Sequence, residues 1–211
     1  MQVWYLEIKS KNFCIVLSSP SGAGKTSISK RLLQKDRKLA LSISCTTRPK
    51  RKGEINKKDY IFITEEDFKR KINNNKFIEH ASVFGYSYGT LKQTVSNFFK
   101  NKRDVLFDID WQGFQQLKQS GKDVVGIFIL PPNKKELISR LKKRGRDTSD
   151  EMKKRMSLAK DEISHFPEYD YVVINKDIEK CTIQILNIIN AERLKKSNQL
   201  NLTEFVNKFR D

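Results

Sequence analysis

The chain has 211 residues, 37% of them hydrophobic, which suits one α/β domain with small insertions. Its formal net charge of +17 is compatible with anionic partners such as nucleotides, nucleic acid or acidic lipid, and equally with a compositional bias towards Lys, Ile and Asn. The apolar run at 13–17 is too short to cross a bilayer and no secretory signal is evident, so the sequence argues against a membrane or secreted protein and predicts a cytoplasmic one.

The first predicted unit, at about 12–35, is a strand at 13–17, a tight loop and a helix. The loop reads Ser19-Pro20-Ser21-Gly22-Ala23-Gly24-Lys25-Thr26. This order predicts a phosphate-binding P-loop, in which backbone N–H groups and the helix N-terminus surround an anion. Lys25 would contact the β- and γ-phosphates, and the Thr26 hydroxyl would bind Mg²⁺. Ser19 stands where the motif usually has Gly, and the alternative is a glycine-rich turn with an exposed lysine.

A small mixed β-rich insert is predicted next, at 46–90. In chain order, the elements here are a strand at 39–44, a basic loop at 46–54, a strand at 60–63, a helix at 64–73 and short strands at 77–83 and 85–90. The helix begins at Thr64, because acidic residues follow it in the pattern of a capping box.

The core resumes after the insert. The predicted elements are a helix at 91–100, strands at 105–110 and 124–130, helices at 134–144 and 151–165, a strand at 171–175 and an apolar helix around 183–190. Strands that are apolar on both faces are typical of a parallel sheet covered by helices. The fold class that follows is α/β, with a parallel sheet flanked by helices as the core.

The sequence leaves two alternatives for each terminus. Residues 1–10 could form an extra edge strand or a loose extension. The tail at 196–211 carries Leu202, Phe205, Val206 and Phe209 at helical spacing, which predicts an amphipathic helix. This helix either packs on the domain or meets a partner, which would allow a homo-oligomer.

The cysteines and histidines indicate no metal site. Cys14, Cys45 and Cys181 are odd in number and lack metal or redox spacing, so they are interpreted as free, buried thiols in a reducing compartment. His80 and His165 have no partner spacing for a metal or a triad and are interpreted as structural.

Two clusters in the insert could bind a second substrate. Arg48, Arg51 and Tyr60 would clamp a phosphate group, with a solvated basic loop as the alternative. A buried Glu79 could accept two adjacent hydrogen bonds, which guanine offers on its N1–H and N2–H₂ edge and adenine does not; Tyr88 and Thr90 lie nearby in the chain. On the residues alone, a surface Glu in a hairpin is the alternative.

Two further clusters lie in the second half of the chain. Asp108 and Asp110 end a predicted buried strand, where a P-loop protein holds the water shell of its Mg²⁺. Four arginines flank a polar break at 145–150 and could close over a transferring phosphoryl group, or could be helix surface charge: Arg140, Arg144, Arg146 and Arg155.

In order and spacing, these motifs resemble the guanylate kinase family over about 12–194. The motifs are the P-loop, Ser44-Cys45-Thr46-Thr47-Arg48-Pro49, Gly53-Glu54 with Asp59-Tyr60, Phe77-Ile78-Glu79, Tyr88-Gly89-Thr90 and Asp108-Ile109-Asp110-Trp111-Gln112-Gly113. The resemblance implies a P-loop NTPase core, a GMP-binding insert and a helical lid. We therefore expect a domain at 11–195, with its insert at 46–90 and its lid at 141–159, and a helical extension at 196–211.

The resemblance also implies an ATP:GMP phosphotransferase of purine nucleotide metabolism, which gives ADP and GDP and uses dGMP as well. GMP would be bound by Ser44, Arg48, Arg51, Tyr60, Glu79, Tyr88, Thr90 and Asp110. ATP would be bound by the P-loop, Ser27 and Asn175, and Mg²⁺ by Thr26 and, through water, Asp108. The residues of the transfer step would be Lys25, Arg48, Asp108, Arg140, Arg144 and Arg155. The alternatives are a non-catalytic guanylate-kinase-like domain and a nucleic-acid-binding P-loop protein; we expect neither a specific nucleic acid nor a membrane partner.

Overall fold

A parallel sheet lies at the centre of the computed structural model, which describes residues 8–83, 85–144 and 149–210, without the side chains at 143–144 and 149–155. In chain order the elements are β1 (Cys14–Ser18), α1 (Lys25–Lys35), β2 (Leu39–Leu41), β3 (Cys45–Thr46), β4 (Ile61–Phe62), α2 (Glu65–Asn73), β5 (Phe77–Val83), β6 (Tyr86–Leu91), α3 (Lys92–Lys100), β7 (Asp104–Asp108), α4 (Trp111–Gln119), β8 (Val124–Leu130), α5 (Lys134–Arg144), α6 (Ser149–Ser164), β9 (Tyr171–Ile174), α7 (Ile178–Leu194) and α8 (Leu202–Asn207).

The central sheet has five strands in the order β2-β7-β1-β8-β9, and every neighbouring pair is parallel. Successive side chains of a strand point to opposite faces, so Ile15 and Leu17 pack with α1 and α7 while Cys14 and Val16 pack with α3 and α4. The predicted α/β architecture is confirmed. Because Leu17 is in register with Asp108, the loop after β1 and the end of β7 meet at the same edge of the sheet.

The insert is a second sheet of four strands, in the order β4-β3-β6-β5. It is mixed, as predicted, because β3 pairs parallel with β4 and antiparallel with β6. The Phe68 ring of α2 stacks on Phe77 of β5 at 4.6 Å and closes one face. Gln116 of α4 exchanges two hydrogen bonds with the backbone of His80, at 3.0 and 2.7 Å, and fixes β5 to the core.

Two strand predictions were too long. The strand predicted at 39–44 ends at Leu41, and the chain then crosses to the insert, where Cys45 and Thr46 pair with Gly89 and Tyr88. The strand predicted at 105–110 ends at Asp108. Asp110 is instead the N-cap of α4, because its carboxylate accepts a hydrogen bond from the Gly113 N–H at 3.1 Å. The sequence analysis did not predict this helix.

The described part of the N-terminus packs against the segment that follows α7. Ser10 forms an antiparallel bridge with Gln199, and the Lys11 N–H donates to the Asn198 carbonyl at 2.7 Å. Residues 8–10 therefore join neither sheet, and residues 1–7 lie outside the described residues. The tail forms a helix that ends at Asn207, and Phe209, which follows this helix, is 77% exposed. A partner for the tail stays a prediction.

The three cysteines are free and buried, as predicted. His165, which was interpreted as structural, has two side-chain contacts. The His165 ring stacks on Trp111 with 3.7 Å between ring centroids, and its Nδ1 lies 2.6 Å from the Glu168 carboxylate. The stack on Trp111 holds the segment after α6 against the start of α4, and the Glu168 contact is local to that segment.

Candidate active site

The loop at 19–26 joins β1 to α1, as predicted, and needs glycine at two positions. Gly22 and Gly24 have φ angles of +93° and +104°, in the left-handed region that side chains disfavour. A Cβ atom on Gly24 would lie 2.5 Å from the Asn175 amide, and one on Gly22 would lie 3.2 Å from Leu141. Gly24 is the residue at which α1 begins, so the loop ends at a helix N-terminus, where an anion is stabilised.

Side chains from distant elements hold the outer side of this loop. The Ala23 carbonyl accepts hydrogen bonds from the Asn175 amide at 2.7 Å and from the Arg140 guanidinium at 3.4 Å. The Ser21 N–H donates to the Glu162 carboxylate at 2.9 Å. These groups belong to α5, α6 and the end of β9, so three elements fix the shape of the loop.

Lys25 and Asp108 form an ion pair at the edge of the central sheet. The ammonium lies 2.7 Å from the Asp108 carboxylate and also donates to the Ile109 carbonyl at 3.1 Å. Burial disfavours the charged amine, but the Asp108 carboxylate, with smaller contributions from Glu162 and Tyr60, outweighs burial and raises the pKa of Lys25. The lysine is therefore cationic at neutral pH, as a phosphate-binding group must be.

Arg48 is the centre of a cationic group in the insert and is only 7% exposed. Its guanidinium donates to the Pro49 carbonyl and to the Glu54 carboxylate, each at 2.7 Å. It also lies 5.4 Å from the centre of the Tyr60 ring, and Tyr60 in turn makes an edge contact with Tyr88 at 5.9 Å. Two phenols and one fixed guanidinium therefore meet at one place.

The loop before β4 is closed by Glu54. One oxygen of this carboxylate binds Arg48, and the other accepts the Arg51 N–H at 2.7 Å. The hydrogen bond from Arg48 lowers the pKa of Glu54 and so keeps it ionised. The Arg51 side chain is exposed.

A nearly isolated carboxylate lies at the other side of the insert. Glu79 of β5 is 2% exposed, and its Oε1 has no hydrogen-bond partner among the described residues. Burial raises the pKa of Glu79 to about 7; hydrogen bonding from Thr90 opposes this shift, and the nearby charge of Asp110 adds to it. Ser44 and Thr90 place their hydroxyl oxygens 3.4 Å apart beside this group. A buried carboxylate without a partner is costly unless a ligand supplies the donors.

Helix α4 makes room for this carboxylate. A Cβ atom on Gly113 would lie 2.7 Å from an oxygen of Glu79, so only glycine fits there without displacement. Asp110, at the start of the same helix, accepts from the Gly113 N–H and from the Gln112 amide at 3.0 Å. The Asp110 side chain is therefore engaged in capping the helix while it faces the Glu79 site.

A cavity of about 430 Å³ lies beside the loop. Its lining residues are Gly22, Gly24, Arg140, Asn175, Lys176, Asp177 and Ile178. Asn175, predicted from the resemblance to lie near the base of ATP, does line this cavity, although its amide is directed to the Ala23 carbonyl.

A family model described as guanylate kinase matches residues 11–192 of the chain. The chain belongs to the guanylate kinase family. It is 46% identical over 204 residues to a guanylate kinase of Paramagnetospirillum magneticum, which covers 96% of this chain and 95% of that relative. It is 49% identical over 199 residues to a guanylate kinase of Maricaulis maris, in an alignment that covers 94% of this chain and 91% of that relative. The crystal structure of guanylate kinase from Anaplasma phagocytophilum has a TM-score of 0.79 and 37% identity, covering 95% and 96% of the two chains.

The residues around the loop of this guanylate kinase family member suit a magnesium ion that is held mainly by phosphate and water. No group of three or more His, Cys, Asp or Glu side chains able to hold a metal is found among the described residues. Asp108 ends β7 next to the loop, and the Thr26 and Ser27 side chains are exposed at the start of α1. Mg²⁺ bound to nucleotides keeps several waters and takes only one or two protein ligands, so this donor set fits it.

The predicted lid arginines are described only in part. Arg140 lies against the loop, where it contacts the Ala23 and Asn175 carbonyls, and its Nε donates to Glu136 at 2.7 Å. The side chains of Arg144 and Arg155 and the whole of Arg146 lie outside the described residues. Within those residues, none of the helices has the length and apolar character that a membrane crossing needs.

Two site residues had no role in the sequence analysis. Glu54 was part of a motif, but nothing in the pattern indicated that it would hold Arg48. Glu162 lies beside the apolar stripe of α6 that Met156, Ala159 and Ile163 form, and not within it. No sequence pattern therefore distinguished it from the other charged residues of this helix.

Proposed function

We propose that this protein transfers the γ-phosphoryl group of ATP to GMP, giving ADP and GDP, and that it accepts dGMP as well. The observation that carries this proposal is the buried Glu79 carboxylate, one oxygen of which has no hydrogen-bond partner among the described residues, in a chain that also has a P-loop. Burial raises the pKa of the Tyr60 phenol in the insert, and the charges of Asp108 and Lys25 at the P-loop also act on it, which supports a common cleft for the two sites. Family membership supports the same reaction.

ATP is bound by the loop. Backbone N–H groups at the N-terminus of α1 surround its phosphates, Lys25 contacts the β- and γ-phosphates, and the adenosine part lies in the cavity lined by Asn175. Thr26 and, through water, Asp108 would hold a magnesium ion beside the phosphates, and this ion would supply charge neutralisation for the transferring group. No covalent intermediate with the protein is needed, because phosphoryl transfer depends mainly on position and charge.

GMP is bound by the insert. Its phosphate contacts Arg48, Arg51, Tyr60, Tyr88 and Ser44. Glu79 accepts the guanine N1–H and N2–H₂ groups, and the Thr90 hydroxyl and Asp110 complete the contacts with the base. Adenine has no such pair of donors and leaves the carboxylate unsatisfied, which is the physical reason for rejecting AMP.

The arginines of the lid at 141–159, Arg144 and Arg155, together with Arg140 beside it, stabilise the charge of the transferring group. They belong to a domain at 11–195, with the insert at 46–90 and a separate extension at 196–211. When lid and insert enclose both substrates, water is excluded from the γ-phosphate. ATP hydrolysis without GMP is therefore expected to be far slower than transfer. Since ATP, GMP and reduced thiols belong to the cytoplasm, we place the protein there.

The test is a panel of acceptors with ATP and magnesium as the donor: GMP, dGMP, AMP, UMP and CMP. ADP formation is expected with GMP and dGMP only, and it should stop when EDTA removes the magnesium. A non-catalytic domain or a nucleic-acid-binding protein would form no GDP. ATPase activity without an acceptor that equals the rate with GMP would contradict the proposed exclusion of water.

A further inference from the structure

Glu162 is a half-buried carboxylate at the P-loop that has no part in the proposed chemistry. It lies on α6, 141 residues along the chain from the group it contacts, and accepts the Ser21 N–H at 2.9 Å. Ser21 belongs to the first half of the loop, before Gly22, whereas the other outer contacts hold Ala23. Glu162 is thus the side chain that fixes this first half from outside.

The contact is part of a larger attachment of two helices to the loop. Met156, Ala159 and Ile163 of α6 pack on Leu137 and Leu141 of α5. Both leucines approach Gly22 closely, within 3.5 Å of where its Cβ would be. The apolar part of this helix pair therefore rests on Gly22, and Glu162 adds a directional hydrogen bond one residue earlier.

A carboxylate is an unfavourable choice at this position on electrostatic grounds. Burial raises the pKa of Glu162, and the Ser21 hydrogen bond and the charge of Lys25 only partly oppose that. A negative charge so close to Lys25 also repels the phosphates that the loop binds. The useful property of this side chain is consequently its acceptor oxygen, which fixes the Ser21 N–H. Its negative charge, in contrast, disfavours binding of the phosphates.

We propose that Glu162 is a positioning residue for the phosphates of ATP: by accepting the Ser21 N–H it holds the first half of the P-loop in the shape that surrounds them. This inference rests on the proposed function, because it assigns the loop to ATP. It extends that function to a side chain in α6, which joins the P-loop to the helix pair flanking the proposed lid.

The experiment compares Glu162→Ala, which removes the acceptor, with Glu162→Gln, which keeps an acceptor oxygen and removes the charge. Asp161→Ala is the matched control, since Asp161 is an exposed acid on the same helix. For Glu162→Ala we expect the Kd of ATP, measured by calorimetry, and the KM for ATP to rise about tenfold, the loss typical of one hydrogen bond. The KM for GMP should stay within about twofold. Glu162→Gln should bind ATP as well as the unchanged protein or better.

Two outcomes would overturn the proposal. One is a Glu162→Ala protein whose ATP affinity equals that of Asp161→Ala. The other is equal loss in Glu162→Ala and Glu162→Gln, because the charge would then be what matters. Failure of the proposed function has a different signature: the unchanged protein would not phosphorylate GMP, whereas the calorimetric comparison of ATP binding would still decide the role of Glu162.

Discussion

The ammonium of Lys25 lies 2.7 Å from the carboxylate of Asp108, so these two charges neutralise each other in the free protein. The pairing follows from the fold, because β1 and β7 are neighbouring parallel strands with Leu17 in register with Asp108. In the proposed reaction, Lys25 would bind phosphate and Asp108 would hold a magnesium ion through water. Each charge of the ion pair would then gain a new partner, and neither would be left uncompensated.

Replacement of Lys25 by Ala is expected to lower kcat by at least about a hundredfold, because a cation at the transferring phosphoryl group is lost. The Kd of GMP should change by less than about twofold, since the acceptor contacts lie in the insert. A coupled assay and calorimetry measure the two quantities. Lys30→Ala, an exposed lysine on the same helix, is the control. Normal turnover in Lys25→Ala would refute the assignment of the P-loop.

Replacement of Glu79 by Gln is expected to reduce the preference for GMP over AMP at least about tenfold. The amide presents a donor as well as an acceptor, so it no longer matches the two guanine donors and no longer rejects adenine as strongly. The measurement is the ratio of kcat/KM for the two acceptors, with Glu66→Gln, an exposed residue of α2, as the control. An unchanged ratio would place recognition of the base elsewhere.

The pH dependence of GMP use should report Glu79. Its pKa is raised to about 7, and the ionised form is the one that accepts both guanine donors. As the pH falls below about 7, the carboxyl group becomes protonated, and kcat/KM for GMP should decline towards tenfold per pH unit. Bound GMP favours the ionised form, so the decline in kcat should lie at lower pH.

Glu79→Gln provides the control for this profile, because it shares every ionisation of the substrates and of the other residues. Its kcat/KM for GMP should be low and should lack the step near neutral pH. If both proteins give the same profile, the titrating group is not Glu79.

The sequence predicted the parts of the molecule that depend on local pattern. The apolar strand before Gly22 and the helix after Gly24 identify the P-loop, since strand, glycine turn and helix are each encoded within a few residues. The burial of Glu79 could not be derived in this way. It depends on β6, which supplies Thr90, and on Gly113 of α4, a helix that the sequence analysis did not predict. The same holds for Glu162, whose partner Ser21 is distant in the chain.

Glu54 contacts residues only a few positions away in the chain, and its role can be measured separately. Its carboxylate binds the Arg48 guanidinium and the Arg51 N–H, each at 2.7 Å, and so fixes the loop that carries both arginines. Glu54→Ala should raise the KM for GMP about tenfold, because Arg48 loses the partner that orients it, and should leave the KM for ATP within about twofold.

Glu54→Gln, which keeps one acceptor oxygen, should lie between Glu54→Ala and the unchanged protein. Glu66→Ala is the matched control, as an exposed glutamate of the same insert. Thermal unfolding of each variant separates loss of the loop's shape from loss of the fold. The same KM for GMP in Glu54→Ala and Glu66→Ala would show that Arg48 binds GMP without help from Glu54.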